Sequence, residues 1–523
     1  MNYWLAALTA LLGLAGSFVL IPLILTSCRR GRLSRSGQAL HHTHKVPVPR
    51  FGGVAIAAAF VLAALTVNLT APPASSRAYE WNLIVIGSLA MFGLGLWDDV
   101  RPLGAKLKLA GQVLISAAVF FLGLGIQKFE IPFTGVIVEL GGLGMPVTVL
   151  WLVGITNLIN LIDGVDGLAG GICLMLMLLL AYVGHEASNI YLLASGLAGG
   201  LLGFLWFNFP PARIHLGDGG AYFLGFFIGA ATIANSQKGT ILAALAAPLF
   251  ALALPILDTA LAILRRGLRG LPLFRPDRRH IHHRLLAMGI SRKRLVLGMY
   301  GFTMFFLFLG FAAFLLRGQW LPILAGVGTL AVLLTAGQFR FSREWFAVGR
   351  VLGNSREIRR EIQYALSLTR WLTLEGGQCK SIESLWLDFL QIAQKLGFTS
   401  AKLTLPDGCR VWRQGNGGSS DHVEKFELEG GRLGILELSA RPCPREGDHS
   451  PPACGDGWPC EWHCPCVADQ RIFPLVSELL AEGWLAGARN WEKERGVAVR
   501  FDSRIAPVET GGTRNGGGSL TAS

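Results

Sequence analysis

The first 340 residues consist largely of long apolar runs separated by short polar gaps. A helix that crosses a lipid bilayer needs about 20 mostly apolar residues, because all its backbone hydrogen bonds must be satisfied internally. The chain is 52% hydrophobic and only 15% charged, whereas an ordinary soluble protein carries about 25% charged residues. We therefore predict a membrane domain over residues 1–338, followed by a soluble region.

Eleven of the apolar runs are long enough to be membrane spans. They centre near residues 14, 60, 90, 116, 153, 176, 198, 226, 251, 305 and 329. The first run lacks a basic lead-in and is longer than the apolar core of a signal peptide, so we predict that it is also a span. The predicted fold class is an all-α polytopic membrane protein with about 11 transmembrane helices and a C-terminal cytoplasmic α+β domain.

Positive charge alternates between the gaps. The odd-numbered gaps together hold 20 Lys and Arg, whereas the even-numbered gaps hold only Arg77, Lys128, Lys238 and Arg317. The positive-inside rule therefore places the odd gaps and the C-terminal region in the cytoplasm and the N-terminus outside. The net charge of +13 suits anionic lipid head groups and phosphate substrates, and it requires no nucleic acid as a partner.

Acidic residues of the membrane domain are also sorted by side. Its four Glu fall on the predicted external side, and its seven Asp fall at or near predicted cytoplasmic ends: Asp98, Asp99, Asp163, Asp166, Asp218, Asp258 and Asp277. Carboxylates at membrane ends are costly unless they are paired or bind a metal. A cluster on one side therefore predicts a functional site at that side.

Three cytoplasmic segments carry most of these acids. Asp98 and Asp99 end the third span, and Lys106 and Lys108 open the next. Asn157, Asn160, Asp163 and Asp166 recur every third residue in ITNLINLIDGVDGLAGG, which places them along one helical face or in the turn that ends it. Asp218 stands in a Gly-Asp-Gly-Gly turn, where it is a candidate ligand for a hard cation. A capped turn with local ion pairs and a structural hydrogen-bond network between helices are the alternatives.

Two further segments are basic. The first loop contains KVPVPRFGG, with Lys45, and its alternative interpretation is a loop that touches lipid. The ninth loop contains RPDRRHIHHRL, with His280, His282, His283 and Arg284. Three His invite a zinc interpretation. Cationic side chains beside neutral imidazoles favour a diphosphate instead, because Arg donates in a fork to phosphate oxygens.

Together these five segments resemble the polyprenyl-phosphate N-acetylhexosamine-1-phosphate transferase family, and most closely its WecA- and TagO-like branch that uses UDP-GlcNAc. The segments KVPVPRFGG, DDVRPLGAKLKLAGQ, NLINLIDGVDGLAGG, GDGG and RPDRRHIHHRL occur in the family's order across residues 1 to about 338. The resemblance implies transfer of N-acetylglucosamine-1-phosphate, or a related N-acetylhexosamine-1-phosphate, from a UDP-sugar to undecaprenyl phosphate. UMP is released, and a cell-envelope polysaccharide such as lipopolysaccharide O-antigen is started.

The resemblance also implies roles for residues and a cofactor. Mg²⁺, for which Mn²⁺ substitutes, is expected at Asp218 and Asn160. Catalytic roles are expected for Asp98, Asp99, Asp163 and Asp166, without a division between base and metal ligand. Substrate contacts are expected from a longer set: Lys45, Lys106, Asn157, His280, His282, His283 and Arg284. The expected location is the bacterial inner membrane, with the site in the cytoplasm.

The C-terminal region lies outside the resemblance. Residues 339–500 show helical and alternating patterns that predict a small α+β domain, loosely similar to GAF-type sensor modules. Residues 442–468 form a Cys-rich insertion, either an unstructured loop or a zinc site at Cys443, Cys454, Cys460, Cys464 and Cys466 with two His. Residues 501–523 are predicted to be disordered. Neither a homodimer nor a protein or ligand partner of this domain is decided by the sequence.

Two other functions compete with the transferase. An ion- or proton-coupled transporter would use buried Asp residues as its path, but such a path needs acids near the membrane midplane, and here they stop at one face. An inactive membrane scaffold for the C-terminal domain is the second rival. The completeness of the five polar segments argues against it.

Overall fold

The computed structural model describes residues 3–29, 48–72, 75–130, 136–184, 189–236, 249–250, 252, 256, 290–315, 320, 323–324, 326–328, 360, 362–405, 408–414, 422–429, 431–441 and 472–500. Contacts divide these residues into two compact units, one ending at residue 328 and the other beginning at residue 360. The predicted boundary near residue 338, the Cys-rich insertion 442–468 and the tail 501–523 lie outside the described residues and stay predictions.

The first unit is helical. Within its described residues the helices are α1 (Tyr3–Arg29), α2 (Gly52–Thr70), α3 (Ser75–Val100), α4 (Ala105–Phe121), α5 (Gly144–Ile162), α6 (Leu168–Val183), α7 (Ile190–Asn208), α8 (Gly217–Ser236) and α9 (Arg292–Leu315). A hairpin of two short strands, β1 (Lys128–Glu130) and β2 (Ile137–Glu139), separates α4 from α5. The periodicity of the sequence did not indicate this hairpin.

Six of the described helices are long and apolar enough to cross a membrane. The spans are Tyr3–Cys28, Gly52–Thr70, Ala78–Val100, Gly141–Ile162, Ile190–Asn208 and Arg292–Ala312. The spans predicted near residues 116, 176 and 226 are helices of 17, 16 and 20 residues, and those near 251 and 329 fall mostly outside the described residues. The chain is therefore a multi-pass membrane protein, and the count of eleven and the topology stay predictions.

Small residues let the helices of this unit approach closely. A Cβ added to Gly13 of α1 would lie 2.9 Å from the backbone nitrogen of Gly200 in α7. Between α2 and α8, Phe60 packs edge-on against Phe223, with ring centroids 5.0 Å apart. Lipid supplies no hydrophobic drive for helices to associate, so such van der Waals contact is a main source of packing energy in a membrane bundle.

The second unit is an α+β fold. Its helices are α10 (residues 362–378), α11 (Ile382–Lys395) and α12 (Phe473–Arg495). Its strands are β3 (Ser400–Leu405), β4 (Gly408–Arg413), β5 (His422–Glu427) and β6 (Ile435–Ala440), which pair antiparallel in the order β4-β3-β6-β5. The sequence predicted three of these strands and missed β4, GCRVWR, whose central residues show little alternation between apolar and polar.

Local chemistry accounts for the helix starts and the core of this unit. Ser381 begins α11 as its N-cap, because its hydroxyl accepts a hydrogen bond from the Ser384 backbone N–H at 3.1 Å. Trp484 of α12 is fully buried, and its ring lies 5.4 Å from those of both Trp386 and Phe389. The resemblance to GAF-type modules stays a prediction.

The packing of α3 on α8 gives a test with a matched control. A Cβ at Gly95 would lie 2.6 Å from the carbonyl carbon of Asp218 and 2.7 Å from the Cα of Gly219, whereas a Cβ at Gly93 would have no neighbour within 4 Å. We expect Gly95→Ala to destabilise the fold by about 1–3 kcal/mol through overpacking, and Gly93→Ala to leave stability unchanged or slightly raised. Thermal unfolding midpoints in detergent check this, and equal midpoints for the two variants would contradict it.

Candidate active site

A cluster of charged side chains lies at one end of the membrane unit. Asp98 is in the last turn of α3, Lys108 in the first turn of α4 and Asp218 in the first turn of α8. The Lys108 ammonium forms an ion pair with Asp98, and its Nζ donates to Asp218 Oδ2 at 3.0 Å. One cation therefore connects carboxylates from two helices, which offsets the repulsion between them.

The members of this cluster differ in exposure. The Asp98 side chain is only 7% exposed, while those of Lys108 and Asp218 are 26% and 22% exposed. The Leu103 backbone N–H donates to Asp98 Oδ1 at 2.6 Å, and the Tyr222 hydroxyl donates to Asp218 Oδ2 at 3.5 Å. Asp98 is therefore enclosed by protein, whereas Asp218 and Lys108 remain open to a bound molecule.

Asp99 has a different environment from its neighbour. Its two carboxylate oxygens accept hydrogen bonds from the backbone N–H groups of Asp218, at 3.0 Å, and Gly219, at 2.8 Å. These N–H groups belong to the first turn of α8, where no carbonyl of the helix itself can accept them. Asp99 thus caps α8 from another helix, and the negative charge is favoured by the helix dipole.

Asp163 comes to the same place from the end of α5. Its carboxylate lies against the Gly217 backbone N–H and interacts electrostatically with Asp218, Asp99 and Arg50. Gly217 has φ of +79°, a conformation that residues with a Cβ rarely adopt, so glycine is needed where the chain turns into α8. The separate sequence segments of Asp98, Asp163 and Asp218 therefore converge on one location.

The end of the KVPVPRFGG segment is bound to the residues that precede α8. The Gly52 N–H donates to the His215 carbonyl at 2.9 Å, and the Gly53 N–H donates to the Leu216 carbonyl at 2.8 Å. The His215 N–H donates in turn to the Pro49 carbonyl at 2.8 Å. These bonds place Arg50, whose charge acts on both Asp99 and Asp163, at the rim of the acidic cluster.

Asp166 is buried and holds the segment between α7 and α8. Its Oδ2 accepts a hydrogen bond from the Ala212 backbone N–H at 3.2 Å and lies 3.6 Å from Arg292 of α9. Its Oδ1 lies 3.8 Å from His215 Nδ1. The structure thus places Asp166 beside the cluster rather than in it, where it fixes the segments that carry His215 and Arg292.

The two predicted asparagines lie on α5. The Asn157 amide nitrogen donates to Gln112 Oε1 on α4 at 2.6 Å and to the Val153 carbonyl at 2.8 Å. Asn160 is half-buried, and within the described part of the chain its side chain makes no hydrogen bond. The predicted pairing of Asn160 with Asp218 as cation ligands stays a prediction.

Several predicted substrate contacts are not part of the described cluster. Lys106 is exposed, and among the described residues it forms no ion pair. Residues 106 and 108 point to different sides of a helix because each residue turns by about 100°. Five further candidates lie outside the described residues and stay predictions: Lys45, His280, His282, His283 and Arg284.

The structure adds Gln112 and Arg292, which the sequence did not select, and it places Lys108, which the sequence named beside Lys106, in the cluster. A usable signal existed for Lys108 and Gln112. Lys108, Gln112 and Ser116 are spaced by four and are, with Lys106, the polar side chains of this helix, so these three share one face of α4. Arg292 carries no such signal, because it is one of several basic residues in the ninth loop.

A second group of potential metal ligands lies in the C-terminal unit. One ligand atom each of Glu375, Cys379 and Asp388 lies within 4.8 Å of the others. Burial raises the pKa of the Cys379 thiol, and the carboxylate of Asp388 accepts a hydrogen bond from it. The thiol proton is donated to Asp388, so this contact joins Cys379 to α11.

The chemistry available at the membrane cluster is that of phosphate binding beside carboxylates. Lysine and arginine donate charge-assisted hydrogen bonds to phosphate oxygens, and carboxylates are the ligands that hard divalent cations take in proteins. Both kinds of group lie together where several helices end. Such an arrangement suits a transferase that joins two phosphorylated substrates at the membrane surface.

Comparison with known proteins agrees with this class. Residues 81–236, which include Asp98, Asp163 and Asp218, match glycosyl transferase family 4. A probable undecaprenyl-phosphate N-acetylglucosaminyl 1-phosphate transferase of Bacillus subtilis is 37% identical over 259 residues, which cover 49% of this chain and 71% of the relative. The chain belongs to this family of sugar-phosphate transferases, as its sequence motifs predicted.

Two further relatives differ in the substrates that their names give. The decaprenyl-phosphate N-acetylglucosaminephosphotransferase of Mycobacterium tuberculosis is 32% identical over 284 residues, covering 49% of this chain and 70% of that protein. A phospho-N-acetylmuramoyl-pentapeptide-transferase of Listeria welshimeri is 32% identical over 314 residues, covering 56% and 92%. All three are transferases, and none supports the alternative of an ion- or proton-coupled transporter.

The two lysines of α4 provide a matched test of the cluster. We expect Lys108→Met to lower kcat/KM by about 100-fold or more, because the cation that joins Asp98 and Asp218 is lost from the site where the chemistry is expected. Lys106→Met removes the same charge from an exposed position two residues earlier on α4. We expect the loss of kcat/KM in this variant to be at least about tenfold smaller than in Lys108→Met. Steady-state kinetics, with thermal midpoints to confirm folding, check this. Equal losses in the two variants would remove Lys108 from the site.

Proposed function

We propose that this protein transfers N-acetylglucosamine-1-phosphate, or a related N-acetylhexosamine-1-phosphate, from a UDP-sugar to undecaprenyl phosphate and releases UMP. The product is the first lipid-linked sugar of a cell-envelope polysaccharide. The observation that carries the proposal is the convergence of Asp98, Asp99, Asp163 and Asp218 with Lys108 at one end of the helix bundle.

The reaction is a phosphoryl substitution between two anions. A phosphate oxygen of the lipid attacks the β-phosphorus of the UDP-sugar, and the bond from that phosphorus to the oxygen bridging the two phosphates breaks. UMP leaves with the bridging oxygen, and the lipid carries a diphosphate linked to the sugar. No covalent enzyme intermediate is required, because the lipid phosphate is itself a competent nucleophile. The barrier arises largely from positioning and from charge, which the protein must offset.

The side chains of the cluster can supply both the positioning and the positive charge that the reaction needs. Lys108 and Arg50 carry positive charge at the rim of the acidic group, where they would donate to phosphate oxygens. Asp99 holds the first turn of α8 and so fixes the position of Asp218. Asp166 fixes the segment before α8 through Ala212. The predicted diphosphate contacts from His280, His282, His283 and Arg284 belong to the same proposal.

A divalent cation, Mg²⁺ with Mn²⁺ as a substitute, completes the proposed site. The donor chemistry fits, because Asp218 and Asp163 offer hard carboxylate oxygens close to one another, and Asn160 is the further ligand expected from the sequence. When bound, the cation neutralises charge on the diphosphate. The ion pairs of Lys108 with Asp98 and Asp218 support this part of the proposal, because carboxylates attract positive charge there.

The identity of the sugar and lipid rests on the relatives. The name of the Bacillus subtilis relative gives undecaprenyl phosphate as the lipid and N-acetylglucosaminyl 1-phosphate as the transferred group. The name of the mycobacterial relative gives decaprenyl phosphate and N-acetylglucosamine. The HIHHR form of the ninth loop also resembles the UDP-GlcNAc branch rather than the muramoyl-pentapeptide branch. We therefore propose UDP-GlcNAc as the preferred donor.

The proposed location is the bacterial inner membrane, with the active site and the C-terminal domain in the cytoplasm. The charge asymmetry of the gaps supports this orientation. We expect a fluorescent protein fused to the C-terminus to fluoresce and an alkaline phosphatase fused there to be inactive, because the phosphatase needs an oxidising compartment. The opposite pair of results would place the C-terminal domain outside.

The function itself is tested with the full-length protein in detergent, UDP-GlcNAc, undecaprenyl phosphate and Mg²⁺. We expect UMP release that EDTA abolishes, and a loss of about 100-fold or more in Asp218→Asn, because a charged ligand of the cation and the partner of Lys108 are removed together. UDP-GalNAc in place of UDP-GlcNAc measures sugar preference.

Glu139→Gln is the matched control for Asp218→Asn. It neutralises an exposed carboxylate in the β1–β2 hairpin, so its activity should equal that of the unmodified protein. Normal UMP release by a folded Asp218→Asn variant would refute the assignment of Asp218. Failure to consume any UDP-sugar under these conditions would refute the proposed function.

A further inference from the structure

A hydrogen-bonded pair of amides lies one helical turn from the charged cluster. Gln112 follows Lys108 by four residues on α4, and its Oε1 accepts a hydrogen bond from the Asn157 amide nitrogen on α5 at 2.6 Å. Gln112 is only 1% exposed, while the Asn157 side chain is exposed. The pair therefore connects a buried position on α4 to an accessible position beside the site.

The second hydrogen bond of Asn157 fixes the orientation of both amides. Its nitrogen also donates to the Val153 carbonyl at 2.8 Å, and a carbonyl can only accept. The Asn157 nitrogen must therefore face Val153 and Gln112, and Gln112 must present its oxygen. Both amide hydrogens of Asn157 are used by the protein. Its carbonyl oxygen is the group that remains to meet a bound molecule, and that oxygen is an acceptor.

Stability does not explain why glutamine stands at this position. The Gln112 Nε2 is buried, and among the described residues it has no hydrogen-bond partner. A buried donor without a partner costs free energy, whereas an apolar side chain of similar shape in a membrane helix does not. Ser116 carries the same kind of cost, so it is the hydrogen bond to the exposed Asn157, and not the cost alone, that gives Gln112 a role.

The exposed oxygen of Asn157 also needs a partner. A polar group on a membrane-spanning helix is costly against lipid tails, which offer no donor, and such groups commonly line a functional site or a water-filled cavity. Of the two proposed substrates, the lipid is a phosphate on a hydrocarbon chain, which is poor in hydrogen-bond donors. The UDP-sugar carries two amide-type N–H donors, one on the uracil ring and one on the acetamido group.

We propose that Gln112 is a positioning residue that holds Asn157 in place, so that the Asn157 carbonyl oxygen, turned outward by the Val153 contact, accepts a hydrogen bond from an N–H donor of the UDP-sugar. This inference rests on the proposed function and adds to it a discriminating contact outside the charged cluster. Gln112 itself does not touch substrate; it accepts the second amide hydrogen of Asn157 and so keeps that side chain in the orientation that the Val153 carbonyl sets.

Substrate analogues that lack one donor test the contact. In UDP-GlcNAc methylated at uracil N3 the imide N–H is absent, and in UDP-2-O-acetylglucose an ester oxygen replaces the acetamido N–H. With the unmodified full-length protein we expect one analogue to lose at least about tenfold in kcat/KM relative to UDP-GlcNAc. Whichever analogue is affected identifies the donor. If neither analogue loses activity, the inference is wrong.

Enzyme variants then show whether Asn157 and Gln112 are responsible. In Asn157→Ala the affected analogue and UDP-GlcNAc should have nearly equal kcat/KM, because the acceptor is absent. In Gln112→Met the ratio of kcat/KM for UDP-GlcNAc to kcat/KM for the affected analogue should lie between the values for the unmodified protein and for Asn157→Ala. The thermal midpoint should stay unchanged or rise, because the unpartnered amide is gone. A purely structural role for Gln112 would change the midpoint and leave the ratio unchanged.

Ser116→Ala is the matched control, because Ser116 is the next residue on the same face of α4 and its buried hydroxyl is also without a partner among the described residues. It should leave the analogue ratio at the unmodified value. An analogue ratio that is the same in Asn157→Ala and in the unmodified protein would overturn the inference while leaving the transferase function intact. Absence of turnover with UDP-GlcNAc in the unmodified protein would instead overturn the proposed function and this inference with it.

Discussion

The Lys108 ammonium between Asp98 and Asp218 is the interaction on which the site depends. Two carboxylates from α3 and α8 stand close together at the end of a membrane bundle, where repulsion is weakly screened and desolvation is costly. The lysine of α4 joins them, with Nζ 3.0 Å from Asp218 Oδ2. Because the three residues belong to three helices, one ion pair network also sets how those helix ends meet.

The adjacent residues Asp98 and Asp99 divide two tasks between them. Asp98 faces the lysine, while Asp99 accepts hydrogen bonds from the second and third N–H groups of α8. Neighbours on a helix point about 100° apart, so a single Asp-Asp pair reaches both the side chain and the backbone of the Asp218 turn. Gly95, one turn earlier on α3, leaves room for this close approach. The position of Asp218 is thus fixed by backbone contacts, and its carboxylate stays partly exposed.

The sequence predicted the class of fold and most of the cluster for a physical reason. The cost of polar groups in lipid explains both the long apolar runs and the placement of the acidic residues at one side of the membrane. The helices α1 to α9 and the convergence of Asp98, Asp163 and Asp218 could therefore be predicted from the sequence. The choice between Lys106 and Lys108 could not, because it depends on the rotation of α4 against its neighbours. Asp166 was grouped with the catalytic acids through the family resemblance, yet its partners Ala212 and Arg292 come from distant segments that no local pattern reveals. Strand β4 was missed because its side chains alternate weakly.

Amide groups can discriminate between ligands in a way that charged groups cannot. A lysine or a carboxylate attracts any ion of opposite sign within reach, so the charged cluster can neutralise a diphosphate without distinguishing one nucleotide sugar from another. An amide has a donor end and an acceptor end, and the protein must decide which one faces the ligand. At Asn157 the Val153 carbonyl sets the orientation, and Gln112 accepts the second amide hydrogen and holds it. Placing this pair one turn from Lys108 separates recognition from charge neutralisation, so either can change without loss of the other.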